Sequence, residues 1–550
     1  MAQGWTIDAT ADTITFYEAP ATGTNNVVVK EFTSGTTGAT DVFAFSAWSD
    51  RYGWPQEVEF FAARLVFART DTQPQTAWFS QVDDYSNFGK NTPIEDSDAI
   101  TATLNARQVN AIEELVPLDK LILLTTGAEW KTTGGQDDVL TPTKLAWKPQ
   151  TYWGSSPLPA LVVGNTALFV QNRGYTVRDI GYQYESDGYT GSDLTIFSSH
   201  LVVGYTLTDW TFQTIPYSAA WMVRSDGTLL TCTYMKEQQV NGWARHDTQG
   251  VVESVCSIPE GTEDAVYFIV RRTINGVSKR YVEKLNTRLF ANPRDWFFVD
   301  SGLTYDGRNT GTTTMTLTAT GWTSEDELTI TASTSAFVGT SDEGDWIVFG
   351  YESDNPLRVV ITEYVSATVV NGRALRDVPV AWQGVASTDW AYARDSVSGL
   401  AHLEGETVSI LADGFVMEPR AVSSGAISLD NPATVIHVGL GYECDFETLD
   451  VTIPGGESVS TRQKVIPTAS IMLGESRGIK IGPSFDLLEE YESRDAGDLM
   501  QAPPPPIDGV VDVYPVKTWQ QSGRVAVRQS QPLALSILGV VPKVEFGETS

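Results

Sequence analysis

Apolar and polar residues alternate along most of this chain, in short runs separated by turn-forming pairs. Val408, Ile410 and Ala412 fall on one face of an extended run, Asp413-Gly414 follows, and the alternation resumes. An Asp-Gly pair supplies the positive φ that a two-residue hairpin turn needs. Asp226-Gly227 and Asn275-Gly276 punctuate the sequence in the same way. A further turn is predicted at Asn431-Pro432, between a strand over Ala426 to Leu429 and one that starts at Val435. Four segments share the order apolar strand, Gly-bearing turn, second strand with an aromatic or Arg: Leu121 to Trp130, Ala160 to Tyr182, Ala219 to Arg245 and Val251 to Leu285. Their central strands begin near Leu121, Leu168, Leu229 and Tyr267, roughly 40 to 60 residues apart. That spacing suits the four-stranded blades of a β-propeller, with sandwich and barrel arrays as rivals.

Helical periodicity is scarce. One amphipathic helix is expected within Asp98 to Leu115, with Ile100, Leu104, Val109, Ile112 and Leu115 on one side and Pro117 as its stop. Between Tyr305 and Tyr392 the chain turns Thr-rich and strongly alternating, which predicts a separate small β-module. Pro503 to Pro506 form a stiff link before the closing strands. The fold class expected is therefore all-β: a β-propeller body with an inserted small β-module and few helices. The divisions are 1–304 for the first part of the propeller, 305–392 for the module, and 393–550 for the closing part and C-terminal segment.

Several of these segments carry a resemblance in their wording. The stretch from Gly399 to Leu449 contains HLEG, TVSILADG, and a PAT-x-x-x-VGLGY tail followed by ETL. Gly53 to Phe88 has an RL-F strand, a QP-T-W-S strand and a D-Y-NF exit. Together with Leu140 to Trp147, Ala167 to Tyr182, Ser192 to Leu201, Met222 to His246, Tyr267 to Leu285, GIKIGPSFDLLEEYESRD and SQPLALSILGVVPKVEFGE, they resemble, in colinear order, the tail nozzle protein of short-tailed phages. That family is also called tail tubular protein B or packaged-DNA stabilisation protein. The family carries a longer N-terminal region than the residues before Ser46.

The resemblance implies a structural virion protein. Such a subunit forms a homo-oligomeric ring, a hexamer, in the head–tail connector below portal and adaptor, retains packaged DNA and conducts it during ejection. Its partners would be the adaptor, tail fibre or spike, and needle or plug proteins, with genomic DNA passing the lumen without specific binding. It would reside in the virion tail after assembly in the bacterial host cytoplasm. The alternative is a propeller lectin or glycan-degrading tail enzyme.

Charge narrows the picture. Against 37 Lys and Arg stand 69 Asp and Glu, a net charge of −32. Binding DNA by phosphate neutralisation needs a basic footprint, so this balance argues against it; by itself the charge fits an acidic surface kept soluble by self-repulsion, while the resemblance implies a wall past which DNA slides. The balance reverses only over Arg271, Arg272, Lys279, Arg280, Lys284 and Arg288, for which a subunit-interface salt-bridge role, plain solvation and, a minor third, a DNA contact are the competing readings. The 3 cysteines stand at unrelated spacings, so no disulfide framework is expected. Neither a secretory leader nor a membrane span is expected.

Candidate chemistry is thin. GESRG at Gly474 to Gly478 matches a nucleophile-elbow pattern, but strand and turn rather than helix succeed it, so a turn between strands is expected around Ser476. His200, His246, His402 and His437 stand at no metal-ligand spacing. The cluster Asp83-Asp84…Asn87 lacks the full pattern of a calcium loop. Glu113-Glu114, Asp137-Asp138 and Glu489-Glu490 are expected on solvated surface, and Trp153, Trp210 and Trp322 in strand cores rather than on sugars. No catalytic, cofactor-binding or metal-binding residue is predicted, and no cofactor. The chain is expected not to be an enzyme.

Overall fold

The computed structural model describes residues 48–547 apart from 51, 107–108, 136–138, 354, 453–458, 460, 492–493, 495–496 and 498–501, together with 5–8 and 13–16. The chain divides into two compact units, Met1–Arg245 and His246–Ser550. Both are built almost entirely of small antiparallel sheets, and the described helical residues form only three-residue 3₁₀ turns.

In the first unit, four four-stranded sheets follow one another, each with strands in simple sequence order. They run over Glu57–Thr103, Ile112–Thr151, Leu161–Thr190 and Leu207–His246. This is the up-and-down topology of propeller blades. The run Leu121–Thr125 explains how they pack. It reads LILLT, apolar at every position but the last, because both of its faces are covered. Leu121 and Leu123 join Val66, Phe79 and Trp130 in a core shared with the first sheet. Ile122 and Leu124 join Ala167, Phe169 and Ile180 in a core shared with the third. Leu168 and Val170 then face Met222 and Leu230 of the fourth. Adjacent residues of one strand thus serve two cores, so the sheets stack face to face.

Among the described residues of Asp98 to Leu115 the expected helix is absent. Ile100–Thr103 closes the first sheet and Ile112–Pro117 opens the second. Ile100, Thr101, Thr103 and Ile112 are β-branched and prefer extended backbone, and the alternation Ile100, Ala102, Leu104 delivers apolar side chains to the core already waiting there.

The second unit opens with a three-stranded sheet, Val251–Glu260, Glu263–Ile274 and Val277–Lys284. Asn275 and Gly276 adopt φ of 48° and 73° and Ile274 pairs with Val277, giving the two-residue turn read from the sequence. Asp413-Gly414 repeats this, with φ of 48° and 81° between the paired Ala412 and Phe415. The Asp413 carboxylate also accepts hydrogen bonds from the Thr434 and Val435 amides and from Thr434 Oγ1, tying the hairpin to the next strand. Asp413→Ala is expected to lower stability by about 1–3 kcal/mol, since those amides lose their acceptor; a chemical-denaturation midpoint equal to that of the unaltered chain contradicts this role.

Asn431-Pro432 is not a turn. Both residues lie inside the strand Ala426–Ala433, which ends the order of a seven-stranded sheet. Pairing with Trp390–Ser398 slips between Ser428 and Ala433, and a slipped edge tolerates a proline that donates no hydrogen bond.

Residues 315–392 hold a core of their own, with Leu317, Ile330, Ile347, Phe349, Val359 and Val370 at its centre. The chain leaves this region's flank and returns beside it: Tyr305 Oη donates to the Tyr392 carbonyl at 3.0 Å. Trp390–Ser398 belongs to both sides, pairing first with Trp346–Phe349 and then with Ala426–Ala433. Two further sheets, from Cys444 to Phe546, close the unit around Ile471, Leu473, Ile481 and Val527.

Candidate functional site

Alternation in Glu57–Phe61 (EVEFF) puts Glu57 and Glu59 on one face, with Val58 and Phe60 exposed on the other. That strand lies beside Ile112–Pro117, which contributes Glu113 and Glu114. Four carboxylates therefore gather at the first strands of the first two sheets. Arg69 answers one of them, donating to Glu113 at 2.6 Å. Glu114 accepts the Ala160 amide at 2.5 Å, at the entrance to the third sheet. Burial pushes the Glu57 carboxyl up to about 7, with Arg69 pulling down and Glu113 pushing further up. Burial also takes Glu114 up to about 7, opposed by the Ala160 hydrogen bond and reinforced by Glu57 and Glu59. Glu129 stands in the same cross-strand row as Glu114, with Leu124 between them. It is fully buried and accepts from Thr151 Oγ1 and the Trp153 amide. Glu114 and Glu129 thus grip both ends of the link between the second and third sheets.

This corrects the expectation for Glu113-Glu114, which is not solvated surface: Glu113 is buried and ion-paired, and Glu114 is half-buried. Glu489 and Glu490 are exposed, and Asp137-Asp138 lies outside the described residues.

The basic run, apart from Arg288, lies on the three-stranded sheet of the second unit, where carboxylates of the same sheet meet much of it. Glu253 receives Arg271 at 2.9 Å and Arg280 at 2.5 Å, and Glu260 receives Lys284 at 2.5 Å. Arg272 is almost wholly buried and holds Glu283 through two nitrogens at 2.6 and 2.7 Å. Its third nitrogen donates to Thr248 Oγ1 and the Gln249 carbonyl. Much of this charge is neutralised within one sheet.

The remaining candidates resolve as framework. Ser476 ends a strand, is fully buried, donates to the Gly474 carbonyl at 2.9 Å and accepts the Ser536 amide at 2.8 Å. No helix comes after it; Gly478 has φ of 69° and the next strand begins at Ile479. His437 is buried, bonded to Thr304 Oγ1 at 2.8 Å and to the Arg294 carbonyl at 2.9 Å, and burial lowers its pKa. His402 meets the Ser301 carbonyl, while His200 is exposed on a 3₁₀ turn. Trp210 is buried and donates to the Pro159 carbonyl; Trp153 stacks on Arg178 at 4.2 Å; Trp322 packs on the core of residues 315–392. Among the described residues no group of three or more His, Cys, Asp or Glu is placed to hold a metal ion, and no helix is long and apolar enough to cross a membrane.

Arg64 and Glu57 went unnoticed in the sequence. Arg64 opens the strand RLVFA, is fully buried, and donates to the Ser80, Asp96 and Asp98 carbonyls. A lone charge at the head of an apolar run, and paired Glu at alternate positions, were the signals available.

No protein-family model and no curated protein matches the chain. Among solved structures, a protein from Lactobacillus plantarum aligns over 70% of this chain and 94% of its own, at 10% identity and a TM-score of 0.26. The WD40 domain of SCAP from fission yeast aligns over 57% and 80%, at 8% identity and a TM-score of 0.25. A GH43 β-1,3-galactosidase aligns over 69% and 89%, at 9% identity and a TM-score of 0.24. At these scores the likenesses carry no argument about what the chain does.

Proposed function

We propose that this chain is a structural subunit of a short-tailed phage tail, a nozzle protein that assembles as a hexameric ring below portal and adaptor. The ring retains packaged DNA and conducts it during ejection, and the subunit needs no cofactor and performs no covalent chemistry. It assembles in the bacterial cytoplasm and contacts the adaptor ring, the tail fibres or spike, and the needle or plug. The colinear resemblance from Gly53 to the closing segment suggests this reading. The observation that carries it is the disposition of charge. At −32, the chain carries a large excess of carboxylates over cations and neutralises much of its main basic run within one sheet. A surface so composed repels phosphate at short range, within about 10 Å at 0.1 M salt, and lets a polyanion slide.

Two measurements test it. Virions labelled against this chain should show density on the tail axis; density elsewhere removes the nozzle assignment. Purified protein should bind duplex DNA no more tightly than roughly 10⁻⁴ M. A mobility shift at micromolar protein, lost on replacing Arg271, Arg272 and Arg280 with Ala, contradicts the sliding-wall account.

A second reading, a glycan-degrading propeller enzyme, draws on one observation. Glu57 and Glu114 lie on neighbouring strands with both carboxyls raised to about 7, and a carboxylic acid protonated near neutrality is what a glycosidic general acid requires. Incubation with host polysaccharide decides between the two readings: the nozzle predicts no new reducing ends.

A further inference from the structure

The four sheets of the first unit each have four strands, whereas the sheet that opens the second unit has three. Its last strand, Val277–Lys284, is paired on one side only, with Glu263–Ile274. The register fixes which groups the open side presents. Ile274 and Val277 flank a two-residue turn and form a bonded pair, so Lys279, Tyr281 and Glu283 direct their backbone groups inward. Ser278, Arg280, Val282 and Lys284 direct theirs outward, and among the described residues no backbone partner meets them. Val282 is 75% exposed beside the paired, part-exposed Ile269.

Open edges are ordinarily guarded by charged side chains held over them. Here Arg280 and Lys284 are instead drawn across the sheet face onto Glu253 and Glu260, so the guard is engaged elsewhere. Charge also bears on who can approach. Two copies at −32 repel each other over most of their surface. Between Val251 and Arg288, five carboxylates stand against six cations, so this stretch offers another copy a balanced surface.

We propose that the edge Ser278 to Lys284 docks a strand of a second copy of this chain, completing the sheet by β-augmentation. The inference rests on the oligomeric part of the proposed function and gives it a location. Val282→Pro tests it cleanly, because the proline removes an outward N–H and leaves the bonds to Glu263–Ile274 in place. Sedimentation of the full chain up to roughly 100 μM should show self-association that this variant weakens at least about tenfold, with an unchanged thermal midpoint in dilute solution, where both chains are monomeric. Independently, hydrogen exchange at Arg280, Val282 and Lys284 in the unaltered chain should slow as concentration rises. A chain that stays monomeric throughout, or a variant that assembles normally while those amides exchange at concentration-independent rates, overturns the proposal. Electron micrographs separate the two ideas. Rings that persist with Val282→Pro remove the docking edge and keep the ring, whereas variant-sensitive closed pairs keep the edge and remove the ring.

Discussion

Replacing Arg272 with alanine will destabilise the second unit by about 3–5 kcal/mol, the range for breaking a buried, hydrogen-bonded ion pair by removing one partner. The guanidinium is 1% exposed and serves Glu283, Thr248 and the Gln249 carbonyl together. Asp300, a half-buried carboxyl, draws on the same positive charge: burial raises its pKa, while Thr248 and Arg272 pull it back. Alanine leaves Glu283 without its partner and Asp300 without that charge. Lysine at this position keeps the charge but not the two-pronged geometry, so it should recover only part of the loss. Replacing both partners, Arg272→Met with Glu283→Leu, should recover more than lysine does, because no orphaned charge remains. The check is the denaturant midpoint of the second unit's transition. A single alanine variant within about 0.5 kcal/mol of the unaltered chain would show that the pair contributes no more than an ordinary surface contact.

The first unit will lose stability as pH rises from about 5 to 8, and Glu114→Gln will remove much of that slope. Glu114 has a folded pKa of about 7 against an ordinary 4.5, so between those values the folded state holds a proton that the unfolded state releases. A raised carboxyl therefore stabilises the fold on the acid side, and that contribution is lost as pH rises through the folded pKa. For Glu114 the loss is on the order of 2–3 kcal/mol. Glu57, raised to about 7 and more exposed, adds to it in the same direction. Glutamine copies the protonated form and can still accept the Ala160 amide, so its advantage over glutamate should appear at pH 8 and vanish near pH 5. In the first unit's thermal midpoint this corresponds to roughly 4–8 °C. Equal midpoints at pH 8 would mean that Glu114 is ionised at no penalty, and the second reading of the site would lose its general acid as well.

Local rules made much of this molecule legible. Asp413-Gly414 and Asn275-Gly276 were readable as turns because positive φ at both positions is a property of those residues alone. The strand spacing was readable because alternation with period two is written into each segment. Ser476 was readable as a residue between strands because Arg477 to Pro483 carries none of a helix's signals. Tertiary structure decided what those rules leave open. Ile100 to Leu115 carries both a partial helical stripe and β-branched alternation, and the waiting cores of the first two sheets select strand. Asn431-Pro432 makes a turn in isolation but sits in a strand because a slipped edge needs no donor there. Above all, the state of each carboxylate depended on its neighbours. Glu113, Glu114 and Glu490 all read alike as members of an acidic pair. One is buried on Arg69, one holds the Ala160 amide, and one faces water. Desolvation and Coulomb forces act over a few ångströms of space, and distance along the chain does not record them.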